Sequence, residues 1–238
     1  MADAYEFIPG RSARVFLTCE HASNRLPPPW TWSPGDERLV DDHWSWDLGA
    51  ADLTRELAAS LQAPAMLACF TRLLIDPNRP LTGANLFRDT ADGHPVDLNL
   101  AISPDDSHAR ISGYWAPFHD AIDARVAAAP PELLLSIHSY TPVYEGIPRA
   151  VQVGVLHDGS EQLAIEWVEI LGRLSGLDVR LDEPYTGRGG FMYSAQRHAD
   201  TAGIPAVELE VRADLCGDPV WRRQLVGWIA RALMETGG

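Results

Sequence analysis

The stretch that decides the fold is Ala206–Asp214, with the sequence AVELEVRAD, which alternates apolar and charged residues as a β-strand does. Side chains on a strand point alternately to its two faces, so the apolar residues at 207, 209 and 211 share one face. Glu208, Glu210 and Arg212 share the other face. Two interpretations fit this segment: an exposed edge strand whose charges pair loosely, or a strand that places a general base in a cleft. The rest of the chain decides between them.

The chain has 238 residues, which is enough for one sizeable core, and no linker or low-complexity segment divides it. We therefore expect a single domain over residues 1–238. No apolar run approaches the roughly 20 residues that cross a bilayer, so we expect no membrane partner. The start, MADAYE, lacks the basic and then apolar order of a secretory signal, which favours a cytoplasmic location.

The formal net charge of -14 argues against a nucleic-acid partner, because a polyanion is repelled where no basic patch intervenes. The cysteines Cys19, Cys69 and Cys216 are odd in number and far apart, without CxxC spacing. This excludes a disulfide framework or a cysteine-ligated zinc cluster and predicts small buried residues in a reducing compartment.

Strand-like and helix-like segments alternate along the chain. The pattern predicts strands at 13–19, 65–70, 72–75, 132–137, 150–156 and 206–212. It predicts helices at 44–61, capped by Asp41 or Asp42, and at 113–128, 161–174, 191–202 and 219–234. Residues 82–104 are rich in Gly, Asn, Asp and Pro and predict a long loop. This alternation indicates an α/β sandwich around a mixed, mainly parallel sheet, in which sites gather at the carboxyl ends of strands.

Two histidines follow that rule. His21 and His138 each come directly after a buried apolar run, at the carboxyl end of a predicted strand. A single histidine is more often a hydrogen-bonded structural residue, but the pair favours a metal site. Catalytic zinc takes about three protein ligands, so a third is required. The candidates are Asp47, His43, Glu20 and Asn24, and spacing leaves them open, because His43 and Asp47 would share a helix face as ligand and orienting residue in either order.

Basic residues are few, and Arg72, Asn78 and Arg79 cluster at predicted strand ends. Arginine binds a carboxylate with two parallel hydrogen bonds, and asparagine can hold the same group from the side. A substrate-binding role and a surface salt bridge fit this cluster equally well. The loop 185–190, YTGRGG, predicts a flexible lid and no phosphate site, since it lacks the strand-loop-helix context.

Five motifs together resemble the N-formylglutamate amidohydrolase family. They are TCEHASN at 18–24, DHWSWD at 42–47, RLLIDPNR at 72–79, SIHS at 136–139 and ELEVR at 208–212. The order and spacing match over most of the chain. The resemblance implies a three-layer α/β/α fold similar to that of the zinc carboxypeptidases, and a zinc-dependent amidohydrolase acting on a small N-acyl amino acid such as N-formylglutamate.

Carried over position by position, the resemblance implies that His21 and His138 bind Zn²⁺, that Asn78 and Arg79 hold the substrate carboxylate, and that Glu210 is the base. The HxxE pattern of the carboxypeptidases would put a carboxylate at position 24, where this chain has Asn24. Asp47 is therefore the expected third ligand, with His43 next. Arg72 is expected to stabilise the developing oxyanion.

Two other functions remain open at this stage. Cys19 could act as a nucleophile with His21, since both would lie on the same strand face. Alternatively, the scaffold could bind zinc and carboxylates without catalysis, because fold does not fix function. The sequence does not indicate the oligomeric state.

Overall fold

The computed structural model of the chain describes residues 4–236 and is built around a mixed sheet. Its strands are β1 Tyr5–Ile8, β2 Val15–Cys19, β3 Ala65–Ala68, β4 Leu133–Tyr140, β5 Val153–Leu156, β6 Val179–Leu181 and β7 Ala206–Arg212. Their order across the sheet is β1-β3-β2-β4-β7-β5-β6. The pairs β3-β2, β2-β4, β4-β7 and β5-β6 are parallel, whereas β1-β3 and β7-β5 are antiparallel. This confirms the predicted mixed, mainly parallel sheet.

Helices cover both faces of the sheet. They are α1 Ala50–Leu61, α2 Pro104–Arg110, α3 Ala116–Ala128, α4 Glu161–Ser175, α5 Tyr193–Ala202, α6 Ala213–Gly217 and α7 Pro219–Glu235. The buried residues of α1, α4, α6 and α7 pack on one face, and those of α3 and α5 pack on the other. The expected three-layer α/β/α arrangement is therefore confirmed. Helix α7 contacts both α1 and α4, and α3 contacts α5.

Strand β7 lies inside the sheet, between β4 and β5, so the interpretation of 206–212 as an exposed edge strand is wrong. The alternation of its side chains is as predicted. Val207, Leu209 and Val211 are buried in the core that packs under α1, α4 and α7. Glu208 and Glu210 point to the other face and are also buried, with 2% and 7% of their surface exposed. Buried carboxylates on a central strand require partners or a function.

The prediction of a helix from residue 44 is wrong. Helix α1 begins at Ala50, and residues 41–49 form turns, so neither Asp41 nor Asp42 caps it. The residue before the helix is Gly49, with a φ of 82°, a left-handed conformation that favours glycine. A Cβ atom at Gly49 would lie 2.6 Å from the backbone carbon of Cys216. The DHWSWD motif is therefore turn structure, held against the C-terminal end of the sheet.

Other element boundaries also differ from the prediction. Residues 72–75 form a buried turn instead of a strand, although the apolar run there is as buried as a core strand would be. Ser103 caps a helical segment that already starts at Pro104 and continues through a π-helical stretch, Ile111–Trp115, into α3. Strands β1 and β6 and helix α6, the shortest of these helices at five residues, were not predicted. The long polar loop after residue 82 is confirmed, with only a two-stranded hairpin and a short 3-10 helix within it.

No helix in residues 4–236 is both long and apolar enough to cross a membrane.

Candidate metal centre and substrate pocket

The side chains of His21, Asp47 and His138 meet at the carboxyl ends of the parallel strands β2 and β4. His21 lies two residues beyond the end of β2, and His138 lies near the end of β4, inside the strand and not beyond it as expected. Asp47 reaches them from the turn before α1, and its backbone N–H donates to the carbonyl of His21 at 2.9 Å. One ligand atom from each of the three residues lies within 4.8 Å of the others, and all three are buried.

The outer ring nitrogen of each histidine faces a carboxylate. Nε2 of His21 lies 2.8 Å from Oδ1 of Asp76, and Nε2 of His138 lies 3.1 Å from Oε2 of Glu20. A carboxylate accepts, so each Nε2 carries the proton and each Nδ1 is left for another partner. Carboxylates that orient metal-bound histidines in this way are common in metalloenzymes.

The inner atoms fit a cation. Nδ1 of His21 is buried and makes no hydrogen bond in the described part of the chain. It lies 3.4 Å from Oδ2 of Asp47, which in turn lies 2.8 Å from Nδ1 of His138. Both ring nitrogens of His138 face carboxylates, and a neutral imidazole has only one N–H, so a second proton or a cation is needed between His138 and Asp47. Two imidazole nitrogens and a carboxylate oxygen are a usual donor set for catalytic zinc. The residues present therefore fit such an ion.

The electrostatics are consistent with a site for a cation. Burial opposes protonation of His138, but the Glu208 carboxylate and the contacts with Asp47 and Glu20 outweigh it and raise the pKa of His138 well above its usual value. Burial also opposes ionisation of Asp47, but the two histidines outweigh it and lower the pKa of this carboxyl. In the same way, His138 and Ser136 outweigh burial and lower the pKa of Glu20 to about 2.

Asp76 is a member of the site that the sequence analysis missed. Its Oδ1 accepts from His21 and from the backbone N–H of Asn78, and its Oδ2 accepts from Nη2 of Arg72 at 3.0 Å. Although burial opposes ionisation, Arg72 and His21 hold the pKa of Asp76 well below its usual value. The residue lies in the RLLIDPNR motif, and its position between Arg72 and Asn78 was the signal that could have identified it.

Glu208 and Glu210 line the same site from the neighbouring strand. In the register of β4 and β7, Glu210 is paired with His138. Oε2 of Glu208 lies 3.5 Å from Nε2 of His138. Burial raises the pKa of both carboxyls, with the negative charges of Asp47 and Glu208 adding to the effect at Glu210, whose pKa reaches about 8. Oε2 of Glu210 is buried and accepts no hydrogen bond from residues 4–236.

The other third-ligand candidates have different partners. Glu20 binds the outer nitrogen of His138 and the hydroxyl of Ser136. The side-chain amide of Asn24 donates to the carbonyl of Val40 and to the carboxylate of Asp41, so it stabilises the turn at residues 40 and 41. His43 lines the pocket but pairs with Asp42 at 2.7 Å, and it does not share a helix face with Asp47 because residues 41–49 are not helical.

Asn78 and Arg79 both line the pocket beside the metal candidates. Oδ1 of Asn78 accepts from the backbone N–H of Ser194, and its side-chain amide donates to the carbonyl of Phe191. The side chain of Asn78 therefore ties its loop to the start of α5. Arg79 donates to the carbonyl of Asn78 and stacks over the ring of Phe191. No carboxylate of the described residues lies within 4.0 Å of the Arg79 guanidinium.

The pocket has a volume of about 300 Å³ and contains functional candidates that the sequence analysis did not identify. Arg88 stacks over Trp44, and Arg149 lies over the rings of Tyr140, Tyr144 and Tyr185. Neither arginine has a carboxylate within 4.0 Å in the part of the chain that the structure describes. Burial and the nearby Arg72 lower the pKa of Arg88. These positions lie in loops without a recognisable pattern.

The predicted lid contributes one wall of the pocket through Tyr185. Gly154 allows this loop to approach the sheet, because a Cβ atom there would lie 1.9 Å from the carbonyl oxygen of Glu183 and 3.4 Å from Cβ of Glu210. The hydroxyl of Tyr185 accepts from Nη1 of Arg149 at 2.9 Å. Arg212 lies outside the metal site, where it donates to the carbonyls of Arg149 and Ala150 and pairs with Asp214.

Cys19 is poorly suited to nucleophilic catalysis. It is fully buried in the core cluster under α1, and burial raises the pKa of its thiol to about 12. A thiol with such a pKa has almost no reactive thiolate at neutral pH. The structure therefore argues against the thiol hydrolase interpretation.

Several solved structures are similar to the chain. The crystal structure of gene product Atu2144 from Agrobacterium tumefaciens is 28% identical, with a TM-score of 0.91, and the match covers 98% of this chain and 94% of that one. A bacteriophage poly-gamma-glutamate hydrolase is 13% identical with a TM-score of 0.48, covering 99% and 88%. An N-acetylmuramoyl-L-alanine amidase from Clostridium difficile 630 is 13% identical with a TM-score of 0.45, covering 96% and 100%. The last two likenesses are too distant to bear on fold or activity.

No curated protein matches the chain. The family model described as N-formylglutamate amidohydrolase matches residues 13–216, which include every motif on which the resemblance rested. The chain belongs to the N-formylglutamate amidohydrolase family.

Proposed function

We propose that this protein is a zinc-dependent amidohydrolase that cleaves the amide of an N-acyl amino acid such as N-formylglutamate. One observation carries the proposal: the inner nitrogens of His21 and His138 face the Asp47 carboxylate while carboxylates hold both outer nitrogens. Family membership supports an activity on linear amides.

His21, Asp47 and His138 would hold the metal. A zinc ion there would act as a Lewis acid and lower the pKa of water towards neutrality. Asp76 and Glu20 fix the tautomers of the two histidines, so that each imidazole offers Nδ1 without having to rotate. The three ligand residues come from separate segments that the sheet and the turn before α1 bring together.

Glu210 is the proposed general base. Its Oε2 is buried, has no hydrogen-bond donor from the described residues, and lies in the pocket on the strand next to His138. A cation held by His21, Asp47 and His138 would lower the raised pKa of Glu210, and the carboxylate could then take a proton from an attacking water and return it to the leaving amine. Oε2 of Glu208 also has no hydrogen-bond donor among the described residues, but it lies 3.5 Å from Nε2 of His138, the nitrogen that Glu20 holds, so Glu208 would support that histidine.

Arginines supply the positive charge that an anionic substrate needs in an acidic protein. Arg79, Arg88 and Arg149 all line the pocket without a carboxylate partner among residues 4–236. We assign the substrate's α-carboxylate to Arg79, with the remaining N–H of Asn78 beside it, and a second carboxylate to Arg149. Arg72, which is fixed by Asp76, would stabilise negative charge on the scissile carbonyl oxygen.

A substrate panel tests the proposal. Purified protein is assayed with N-formyl and N-acetyl derivatives of glutamate, aspartate and methionine, before and after treatment with a chelator. We expect hydrolysis of at least one N-acyl amino acid, loss of turnover on metal removal, and recovery with zinc. Tight binding of these compounds to zinc-loaded protein without turnover would instead indicate a carboxylate-binding protein that has lost catalysis.

A further inference from the structure

A buried hydrogen-bonded chain outside the metal centre ends on the loop that carries Asn78 and Arg79. Oδ1 of Asp123 lies 2.6 Å from Nδ1 of His198, and Nε2 of His198 lies 2.9 Å from Nδ1 of His119. Nε2 of His119 then lies 3.0 Å from the carbonyl oxygen of Pro77. His119 and His198 are buried on α3 and α5, and Asp123 is partly exposed. None of these side chains lines the pocket or belongs to the metal candidates.

The residues that follow Pro77 are held from the same side. Nε1 of Trp115, one helical turn before His119, donates to the carbonyl of Arg79 at 3.1 Å. The rings of Trp115 and His119 pack with their centroids 4.1 Å apart. Trp115 ends the π-helical stretch Ile111–Trp115, and such irregular turns are frequent at functional sites. The backbone on either side of Asn78 is therefore fixed by two side chains of one helical segment.

The chain of contacts is directional. The Pro77 carbonyl is an acceptor, so Nε2 of His119 carries the proton and Nδ1 of His119 accepts from Nε2–H of His198. At the other end, the Asp123 carboxylate and Nη1 of Arg197 both lie at Nδ1 of His198, at 2.6 Å and 3.1 Å, and Arg197 pairs with that carboxylate at 2.8 Å. Burial lowers the pKa of His119 to about 3 and also lowers the pKa of His198, so both imidazoles are neutral. His119 therefore presents Nε2–H to Pro77.

An apolar pair would fill this space without the cost of burying two imidazoles. Unlike an apolar pair, the two histidines bind one particular backbone carbonyl, that of Pro77. That carbonyl precedes the two residues whose side chains reach the pocket.

We infer that His119, supported by His198 and Asp123, is a positioning residue that holds the Pro77 carbonyl and so presents Arg79 to the substrate carboxylate. The inference rests on the proposed function, because it takes Arg79 to be a substrate ligand. It predicts an effect on substrate binding and not on the chemistry, since none of the three residues touches the metal candidates or Glu210.

The test compares His119→Leu with His119→Gln, whose terminal NH₂ group can still donate to the Pro77 carbonyl. Val126→Ala is the matched control, because Val126 is a buried residue of the same helix without contact with this chain of hydrogen bonds. KM and kcat for the best N-acyl amino acid are measured with zinc-loaded protein. Hydrogen exchange of segments 76–79 and 191–194 is measured with metal-free protein. Asp123→Ala changes a partly exposed position, so it keeps the test informative if His119→Leu folds poorly.

We expect His119→Leu to raise KM about fivefold with little change in kcat, the effect of losing one hydrogen bond. Its two segments should exchange faster, while His119→Gln and Val126→Ala stay near the wild type and Asp123→Ala shows a smaller rise in KM. An unchanged KM in both His119→Leu and Asp123→Ala, or an equal rise in Val126→Ala, would overturn the inference. Absence of turnover in the wild type would instead contradict the proposed function, and the exchange measurement would still report on the loop.

Discussion

Nε2 of His21 lies 2.8 Å from Oδ1 of Asp76, so a carboxylate in the loop after β3 fixes the ring of a proposed metal ligand. The same carboxylate holds Arg72 through its other oxygen. Asp76 therefore links the proposed metal centre to the proposed oxyanion-stabilising group.

Asp76→Asn is expected to weaken zinc binding by about tenfold, because an amide accepts the Nε2–H of His21 less strongly than a carboxylate does. The dissociation constant for zinc is measured by competition with a chromophoric chelator. Asp36→Asn is the matched control, since Asp36 is also fully buried but accepts backbone N–H groups of residues 97 and 98, away from the metal candidates. An equal zinc affinity in all three proteins would show that Asp76 does not orient His21.

Glu210→Gln is expected to lower kcat by at least about 100-fold while zinc remains bound, because the amide cannot take a proton from water. Glu208→Gln should keep much more activity, since Glu208 lies beside His138 and is not the proposed base. Zinc content and turnover are measured on the same samples. Full activity in Glu210→Gln, or a larger loss of activity in Glu208→Gln, would contradict the assignment of Glu210 and indicate Glu208 as the base.

Arg149→Leu is expected to raise KM for N-formylglutamate about tenfold, the effect of losing one charge-assisted hydrogen bond. KM for N-formylmethionine, which has a single carboxylate, should change little. Arg231→Leu on the exposed surface of α7 is the control. If Arg149→Leu raised KM for both substrates equally, Arg149 would not be the residue that recognises the second carboxylate.

The stability of the metal-free protein is expected to depend on pH through Glu210. Its pKa is about 8 in the folded protein, against an ordinary value of 4.5. Between these values the folded state keeps a proton that the unfolded state has lost, so the free energy of unfolding falls as pH rises from about 4.5 to 8. One proton contributes at most about 1.4 kcal/mol per pH unit.

Glu210→Gln removes this contribution, so its unfolding free energy should fall less steeply across the same interval. Urea unfolding at several pH values measures the difference. Glu169→Gln, an exposed residue of α4, should keep the slope of the wild type. Parallel curves for wild type and Glu210→Gln would contradict the raised pKa.

Most of the sheet could be predicted because its strands are apolar and continuous. The alternation in 206–212 gave the correct faces for Glu208 and Glu210, and the histidines after two buried runs gave the correct end of the sheet. The resemblance to a family favoured Asp47 as the third metal ligand, whereas spacing alone left four candidates open.

The errors have physical causes. Apolar periodicity over 44–61 continues through Gly49. The left-handed conformation of Gly49, next to Cys216, prevents the helix from beginning before Ala50. The run at 72–75 is apolar because it is buried under loops, and burial alone does not distinguish a turn from a strand. The arginines of the pocket and the chain from Asp123 to Pro77 depend on contacts between distant segments, which no local pattern encodes.

The most direct test of the account is a zinc titration of chelator-treated protein in which bound zinc and turnover of N-formylglutamate are measured together. The account predicts that turnover rises in proportion to bound zinc, stops rising at about one ion per chain, and stays at background in His138→Gln. Full turnover in protein that holds no metal, or an undiminished response to zinc in His138→Gln, would contradict it.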